Sequence, residues 1–187
     1  MNFSEQKKKQ FERQDKSNKQ SIDKEIAKLV DKINSCREYY TTSSCAGRII
    51  LIKDNEKKKE GLFLFRTHKK VSLNELKKEL EKSINRFKEL IYFKQEPCIL
   101  HVACKSINAA QSLIDKAKFC GFKRSGIMAT RNRIICELMS TESIALPIAN
   151  KGKILISENY AKLLVKEVNQ KLSRVRKKIN KLYNLLK

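Results

Sequence analysis

The stretch GIMATRNRIICELMSTESIALPIANKGKILIS, residues 126–157, decides the fold class. Four short β-like pieces follow one another in it: GIMAT, RIICELM, SIALPI and KILIS. Polar or Gly-containing joints separate them, and no helical stripe intervenes. Clean βαβ alternation would need a helix between successive strands, so a doubly wound parallel sheet is excluded here. On the amino-terminal side, INAAQSLIDKAKFCG (residues 107–121) reads as a helix ending at Gly121, a natural left-handed terminator. On the carboxyl-terminal side, residues 158–186 read as one long helix. In it Leu164, Val168, Leu172, Val175, Ile179, Leu182 and Leu186 step by three or four. Its other faces carry Lys162, Lys166, Lys171, Arg174, Arg176, Lys177, Lys178 and Lys181.

Further upstream the same mixture continues. PCILHVAC is a nearly continuous apolar run behind Pro97, the pattern of a buried strand. SLNELKKELEKSINRFKEL opens on a capping box, Ser72 with Glu75, and aligns Leu73, Leu76, Leu80, Ile84 and Phe87 in one stripe. RIILIK and LFLFRT read as an antiparallel pair joined by the solvated DNEKKKE. SIDKEIAKLVDKINSC is helical through Ile22, Ile26, Leu29, Val30 and Ile33, with Ser21 as its expected N-cap. Residues 1–20 are basic and polar, anchored only by Phe3 and Phe11, and read as a helix or a mobile arm. The fold expected is α+β: a mixed sheet with packed helices and a long C-terminal helix, not Rossmann-like, in a single domain over residues 1–187.

The 187 residues carry a net charge of +22, from 42 Lys and Arg against 20 Asp and Glu. That excess fits a polyanionic partner, because each neutralised phosphate releases a condensed counterion. An AT-rich genome, which inflates Lys, Asn and Ile, is the alternative source. At 41% hydrophobic residues the composition is that of a folded chain. Six cysteines form no C-x-x-C pair and have two histidines to help them, so structural zinc is not expected. MNFSEQKKKQ has no apolar secretory core, and no apolar run approaches the ~20 residues of a membrane span. Reduced thiols in the cytoplasm are the default expectation. Five glycines build no G-x-G-x-x-G turn, no P-loop and no G-x-S-x-G elbow.

Chemistry concentrates in YYTTSSCAGR, residues 39–48. Thr41, Thr42, Ser43 and Ser44 offer hydroxyls that donate and accept. Gly47 allows close backbone approach, and Arg48 offers a fork for a carboxylate or phosphate. Such residues also cap helices and line turns. A Cys45 nucleophile would need His68 or His101, which the sequence does not bring near it; packing is the other role for Cys45. His101 lies within the CILHVAC run, where a hydrogen-bonded core imidazole is the commoner outcome and proton handling the rarer one. KRSGI, residues 123–127, is either a phosphate-contacting turn or a basic one.

Taken in order, DKSNKQSIDKEIAKLVDKIN, YYTTSSCAGR, FLFRTH, EPCILHVAC and GFKRSGI resemble the methyltransferase family that acts third in wybutosine synthesis. The resemblance covers about residues 11–185. It implies methyl transfer from S-adenosyl-L-methionine to a ring nitrogen of the tricyclic guanine derivative beside the anticodon of tRNA-Phe. It also implies a mixed α/β fold distinct from Rossmann-like methyltransferases. The family's S-S-C-x-G-R falls on Ser43, Ser44, Cys45, Gly47 and Arg48, and its strand-end histidine on His68. Its E-P-x-x-L-H-V falls on Glu96, Pro97, Leu100, His101 and Val102, and its S-G-I on Ser125, Gly126 and Ile127. Ala46 stands where the family usually has serine, Gln20 near a family glycine, and Phe63 where tryptophan is typical. On this reading His68 and His101 are the candidate proton acceptors. Ser43, Ser44, Cys45, Gly47, Arg48, Phe63, Ser125 and Gly126 are candidates for holding cofactor or substrate. Lys177 and Lys178, with the N-terminal segment, grip RNA phosphates. A non-catalytic RNA-binding protein on the same scaffold is the rival reading.

Overall fold

A computed structural model describes residues 2–16, 22–54 and 61–186. The α+β class expected from the sequence is observed, with one change in the sheet. Among the described residues every strand pairing is antiparallel, and the strands divide between two sheets instead of forming one mixed sheet. Consecutive strands pair as hairpins at β2–β3, β6–β7 and β8–β9, whereas β1 and β2, and β4 and β5, follow one another directly but enter different sheets; no helix serves as a parallel crossover among the described residues.

The chain forms two compact units. The first comprises the described residues of Met1–Ala46, Cys98–Thr141 and Arg176–Lys187. Its sheet has the order β1 (Tyr39–Cys45), β5 (Ile99–Cys104), β7 (Ile134–Met139), β6 (Gly126–Ala129). Helix α2 (Lys24–Ser35) lies against β1, and α4 (Ile107–Phe119) lies against β5, β6 and β7. The expected stripe of α2 is buried at Ile26, Leu29, Val30 and Ile33. Residues 3–16 form helix α1 (Phe3–Lys16), which settles the alternative between helix and arm for that stretch. Asn2 and Glu5 cap it reciprocally: the Glu5 amide donates to Asn2 Oδ1 and the Asn2 amide to Glu5 Oε2. The Phe3 ring rests 5.2 Å from that of Tyr40.

The second unit comprises Gly47–Pro97 and Glu142–Val175. Its sheet has the order β3 (Phe63–Thr67), β2 (Arg48–Lys53), β4 (Ile91–Glu96), β8 (Ile144–Asn150), β9 (Lys153–Ile154). A core of Ile49, Leu51, Ile91, Phe93 and Ile148 meets Leu76 and Leu80 of α3 (Leu73–Arg86). Leu164, Val168 and Leu172 of α5 (Glu158–Leu185) complete it. The Ser72–Glu75 capping box is present as read.

Strand KILIS shrinks to the two residues of β9, and two further departures from the sequence reading stand out. Helix α2 begins after Asp23, not Ser21, which lies outside the described residues; the Asp23 carboxylate is turned to another task described below. Helix α3 stops at Arg86, and IYFKQE forms strand β4, which the sequence reading passed over. Its alternation is regular, with Ile91, Phe93 and Gln95 buried. It begins within four residues of the helix stripe, with no Gly or Pro to mark the change of period.

Candidate functional site

The hydroxyl-rich stretch is strand β1 running into a turn, and a bulge sets what its side chains reach. The β1–β5 register shifts between Thr41 and Ser43. Thr41 on one side is buried and bound to Asn34 Oδ1 through both its amide and its hydroxyl. Thr42 Oγ1 donates to the His101 carbonyl. Beyond the bulge Ser43 stands opposite His101.

From there one row crosses all four strands of the first unit's sheet. Ser43 on β1 pairs with His101 on β5, His101 with Glu137 on β7, and Glu137 with Gly126 on β6. Side chains link three of the four. Ser43 Oγ lies 2.7 Å from His101 Nδ1, and His101 Nε2 lies 3.0 Å from Glu137 Oε2. An ionised carboxylate only accepts, so Nε2 carries the proton and Nδ1 accepts from the Ser43 hydroxyl. The imidazole is half-buried, with Ser43 exposed at its outer end. Such an arrangement can take a proton from the hydroxyl side, with Glu137 placed to stabilise an imidazolium.

Ser125 and Gly126 lie at the far end of this row. Ser125 Oγ donates to the Phe122 carbonyl at 2.6 Å and accepts the Met139 amide at 3.1 Å, so it fastens the turn before β6. A Cβ at Gly126 would meet open space. Ser44 and Cys45 are half-buried.

At the end of β1, Ala46 is fully buried and both halves of its backbone are held by side chains. Its amide donates to Asp23 Oδ2 at 2.8 Å, and its carbonyl accepts from Arg176 Nη1 at 2.6 Å. Glu25 stands 3.9 Å from the same guanidinium. Burial lowers the Arg176 pKa, and Glu25 opposes that shift.

The second unit carries the remaining candidates. Gly47 adopts φ +80°. Its carbonyl accepts from His68 Nδ1 at 3.0 Å, since a carbonyl cannot donate, and this fixes the proton on that nitrogen. Arg48 and Glu96 are paired across β2 and β4, with Arg48 Nε 2.5 Å from Glu96 Oε2. The Arg48 guanidinium also lies 4.9 Å from the centre of the Phe63 ring, and that of Arg66 lies 5.8 Å from it. Phe63 itself remains 43% exposed, enough for an aromatic face to be offered outward.

On α5, Lys177 is exposed, whereas the Lys178 ammonium donates to Thr141 Oγ1 at 3.1 Å and its stem crosses Gly121. Sequence reasoning missed Glu137, Arg176 and the anchoring role of Asp23. Glu137 had a signal, being the one acid in the β-like RIICELM; Arg176 had none among so many cations.

A model of the family described as Methyltransferase TYW3 matches residues 4–187. The chain belongs to the TYW3 methyltransferase family. An Archaeoglobus fulgidus member, named tRNA(Phe) 7-((3-amino-3-carboxypropyl)-4-demethylwyosine(37)-N(4))-methyltransferase, is 36% identical over 90% of this chain and 85% of its own. The mouse tRNA wybutosine-synthesizing protein 3 homolog is 33% identical over 92% of this chain and 68% of its own. Among solved structures, the PH1069 protein of Pyrococcus horikoshii superposes with a TM-score of 0.91 at 30% identity, covering 100% of this chain and 96% of that one. A TYW3 family chain needs a methyl donor. No described helix is long and apolar enough to cross a membrane.

Proposed function

We propose that this chain methylates a ring nitrogen of the tricyclic guanine derivative beside the anticodon of tRNA-Phe, with S-adenosyl-L-methionine as donor. Family membership and the names of the relatives support the reaction class and the substrate. The observation that carries the mechanism is the Ser43–His101–Glu137 chain. A ring nitrogen losing a proton needs an acceptor. In our reading the Ser43 hydroxyl passes that proton to His101 Nδ1, and Glu137 holds the imidazole in the accepting tautomer. His68 is the second candidate acceptor, held through Nδ1 by the Gly47 carbonyl.

The donor supplies an electrophilic methyl group on sulfur. Its chemical parts fit the residues present. A carboxylate suits the outer edges of the Arg48 guanidinium, whose Nε is taken by Glu96, and an adenine or guanine ring suits the exposed Phe63 face. Ser44, Cys45, Ser125 and Gly126 on the first unit, and Gly47 on the second, are each proposed to touch cofactor or substrate. Positioning of the two reactants can supply ~7–11 kcal/mol of the barrier. Lys177, and Lys178 when it leaves Thr141, would meet RNA phosphates, as would the basic N-terminal helix.

Mass spectrometry of tRNA-Phe carrying the demethylated tricycle, after incubation with protein and isotope-labelled S-adenosylmethionine, tests the reading. One labelled methyl group on the tricycle is expected. His101→Asn should lower the rate by about 10²–10⁴-fold. Glu137→Gln should lower kcat more than it changes KM and alter the pH–rate profile. An unlabelled product with the wild-type protein would sink the proposal; a full rate in His101→Asn would remove the relay.

A further inference from the structure

We infer that the β6–β7 hairpin is an RNA-contacting finger that takes the phosphates and bases flanking the target nucleotide. The inference rests on the proposed RNA substrate; it takes up the KRSGI turn, whose two readings the sequence leaves open, and extends it along the hairpin to Arg131 and Arg133. Residues 123–133, KRSGIMATRNR, hold four cations and no acid. Three of the chain's ten arginines stand there, in a protein whose cations are otherwise mostly lysine. Arg124, Arg131 and Arg133 are all exposed. Among the described residues their side chains make no ion pair, hydrogen bond or ring contact. Arg48, Arg66, Arg86, Arg174 and Arg176, by contrast, each engage another group of the chain, and Arg37 is the one other arginine, among the described side chains, that is exposed without such a contact.

The hairpin also exposes apolar surface. Met128 is 60% exposed and Ile127 38%, next to the arginines and on the edge strand of the sheet. Guanidinium forks meet phosphates in bidentate fashion and stack on bases, and small apolar side chains complete a surface for unstacked loop nucleotides. A protein strand is the poorer fit for this edge. Strand β6 has four residues, and its register with β7 shifts between Ile127 and Ala129, so the free edge is short and bulged. An edge so flanked by cations and lacking acids attracts a polyanion.

Position supports the same occupant. The two strands of the finger carry Gly126 and Glu137 of the row that contains His101. Arg133 immediately precedes β7 and is four residues from Glu137, about 13 Å at strand rise. RNA held at the tip would therefore have its neighbouring nucleotides over the proton relay.

The test uses the full chain and a synthetic anticodon stem-loop of tRNA-Phe. In Arg131→Ala/Arg133→Ala the slope of log affinity against log salt should flatten by about 1.5, for two lost phosphate contacts. KM for RNA should rise while kcat at saturating RNA stays within about twofold. Arg131→Lys/Arg133→Lys should keep most of the slope. Lys78→Ala/Lys166→Ala, which removes two exposed charges elsewhere, should leave it nearly unchanged. An unchanged slope in the arginine variant, or an equal loss in the lysine control, overturns the inference. Arginine-dependent RNA binding without any methylation supports the finger while defeating the enzymatic reading. Wild-type KM in the arginine variant defeats the finger and leaves the enzymatic reading standing.

Discussion

Arg176 shows how one residue can be misread from composition. On the sequence it is one cation in a basic helix, indistinguishable from Lys177 beside it. In the structure it is half-buried and bound to the Ala46 carbonyl. Arg176→Ala should destabilise the protein by about 1.5–3 kcal/mol, the range for a lost hydrogen bond to a charged group, as read from urea unfolding. Lys177→Ala should leave the unfolding midpoint unchanged. The motif residues were legible because their chemistry is local. Ser43 and His101 drew notice within a hydroxyl-rich and an apolar run, and Gly126 within the basic turn KRSGI. What joins them was not legible. Only strand pairing places Glu137 between His101 and Gly126, and pairing over such sequence separations leaves no trace in composition. Ser125 was noticed for the same local reasons, and its hydroxyl is occupied by the main chain on both sides of the turn.

Among elements, the helices were the easier reading, since their signals repeat within a few residues. Every member of the α5 stripe from Leu164 to Leu186 is buried. Leu172, 2% exposed in the second unit's core, is the useful probe. Leu172→Ala should cost about 2–5 kcal/mol, the range for truncating a core leucine, checked by the shift in denaturant midpoint at constant slope. Strands were found where apolar runs were bounded by turns. Strand β4 was not, because its alternating pattern begins directly after a helical one. The division of strands between two sheets could not be read either. β1 and β2 are adjacent in sequence, with Ala46 and Gly47 between them, yet they belong to different sheets. The positive φ at Gly47 is the one local sign of that change of direction.

For the molecule as a whole, the high positive charge makes pH the informative variable. Alkali neutralises lysines and relieves their repulsion, so a destabilising group must be isolated by comparison. Tyr39 is that group. It is buried and its hydroxyl donates to the Ala109 carbonyl at 3.1 Å. Burial, with smaller contributions from Glu38 and Cys104, pushes its pKa up to about 12. In the unfolded chain a tyrosine ionises near 10. Above that pH the unfolded state binds fewer protons than the folded one, so stability falls as pH rises. The contribution of Tyr39 is complete below about pH 10 and is lost towards pH 12. Urea midpoints of wild type should therefore decline relative to Tyr39→Phe across that window. Parallel curves would show that Tyr39 ionises as it does in the unfolded chain.

The first unit is assembled from three separate lengths of chain, and among the described residues β1 has β5 as its only strand partner. On the ribosome that ordering becomes a delay. After β1 emerges, the 51 residues of Gly47–Pro97 must be made before Cys98 and then β5 appear. At ~5–20 residues per second that is roughly 3–10 s, during which a nascent strand displays unpaired amides and carbonyls. The third length, from Arg176 onward, is made after the other two and carries the guanidinium that closes over Ala46. Translation pauses within residues 47–97 would prolong the exposed interval and raise the demand for a holding chaperone.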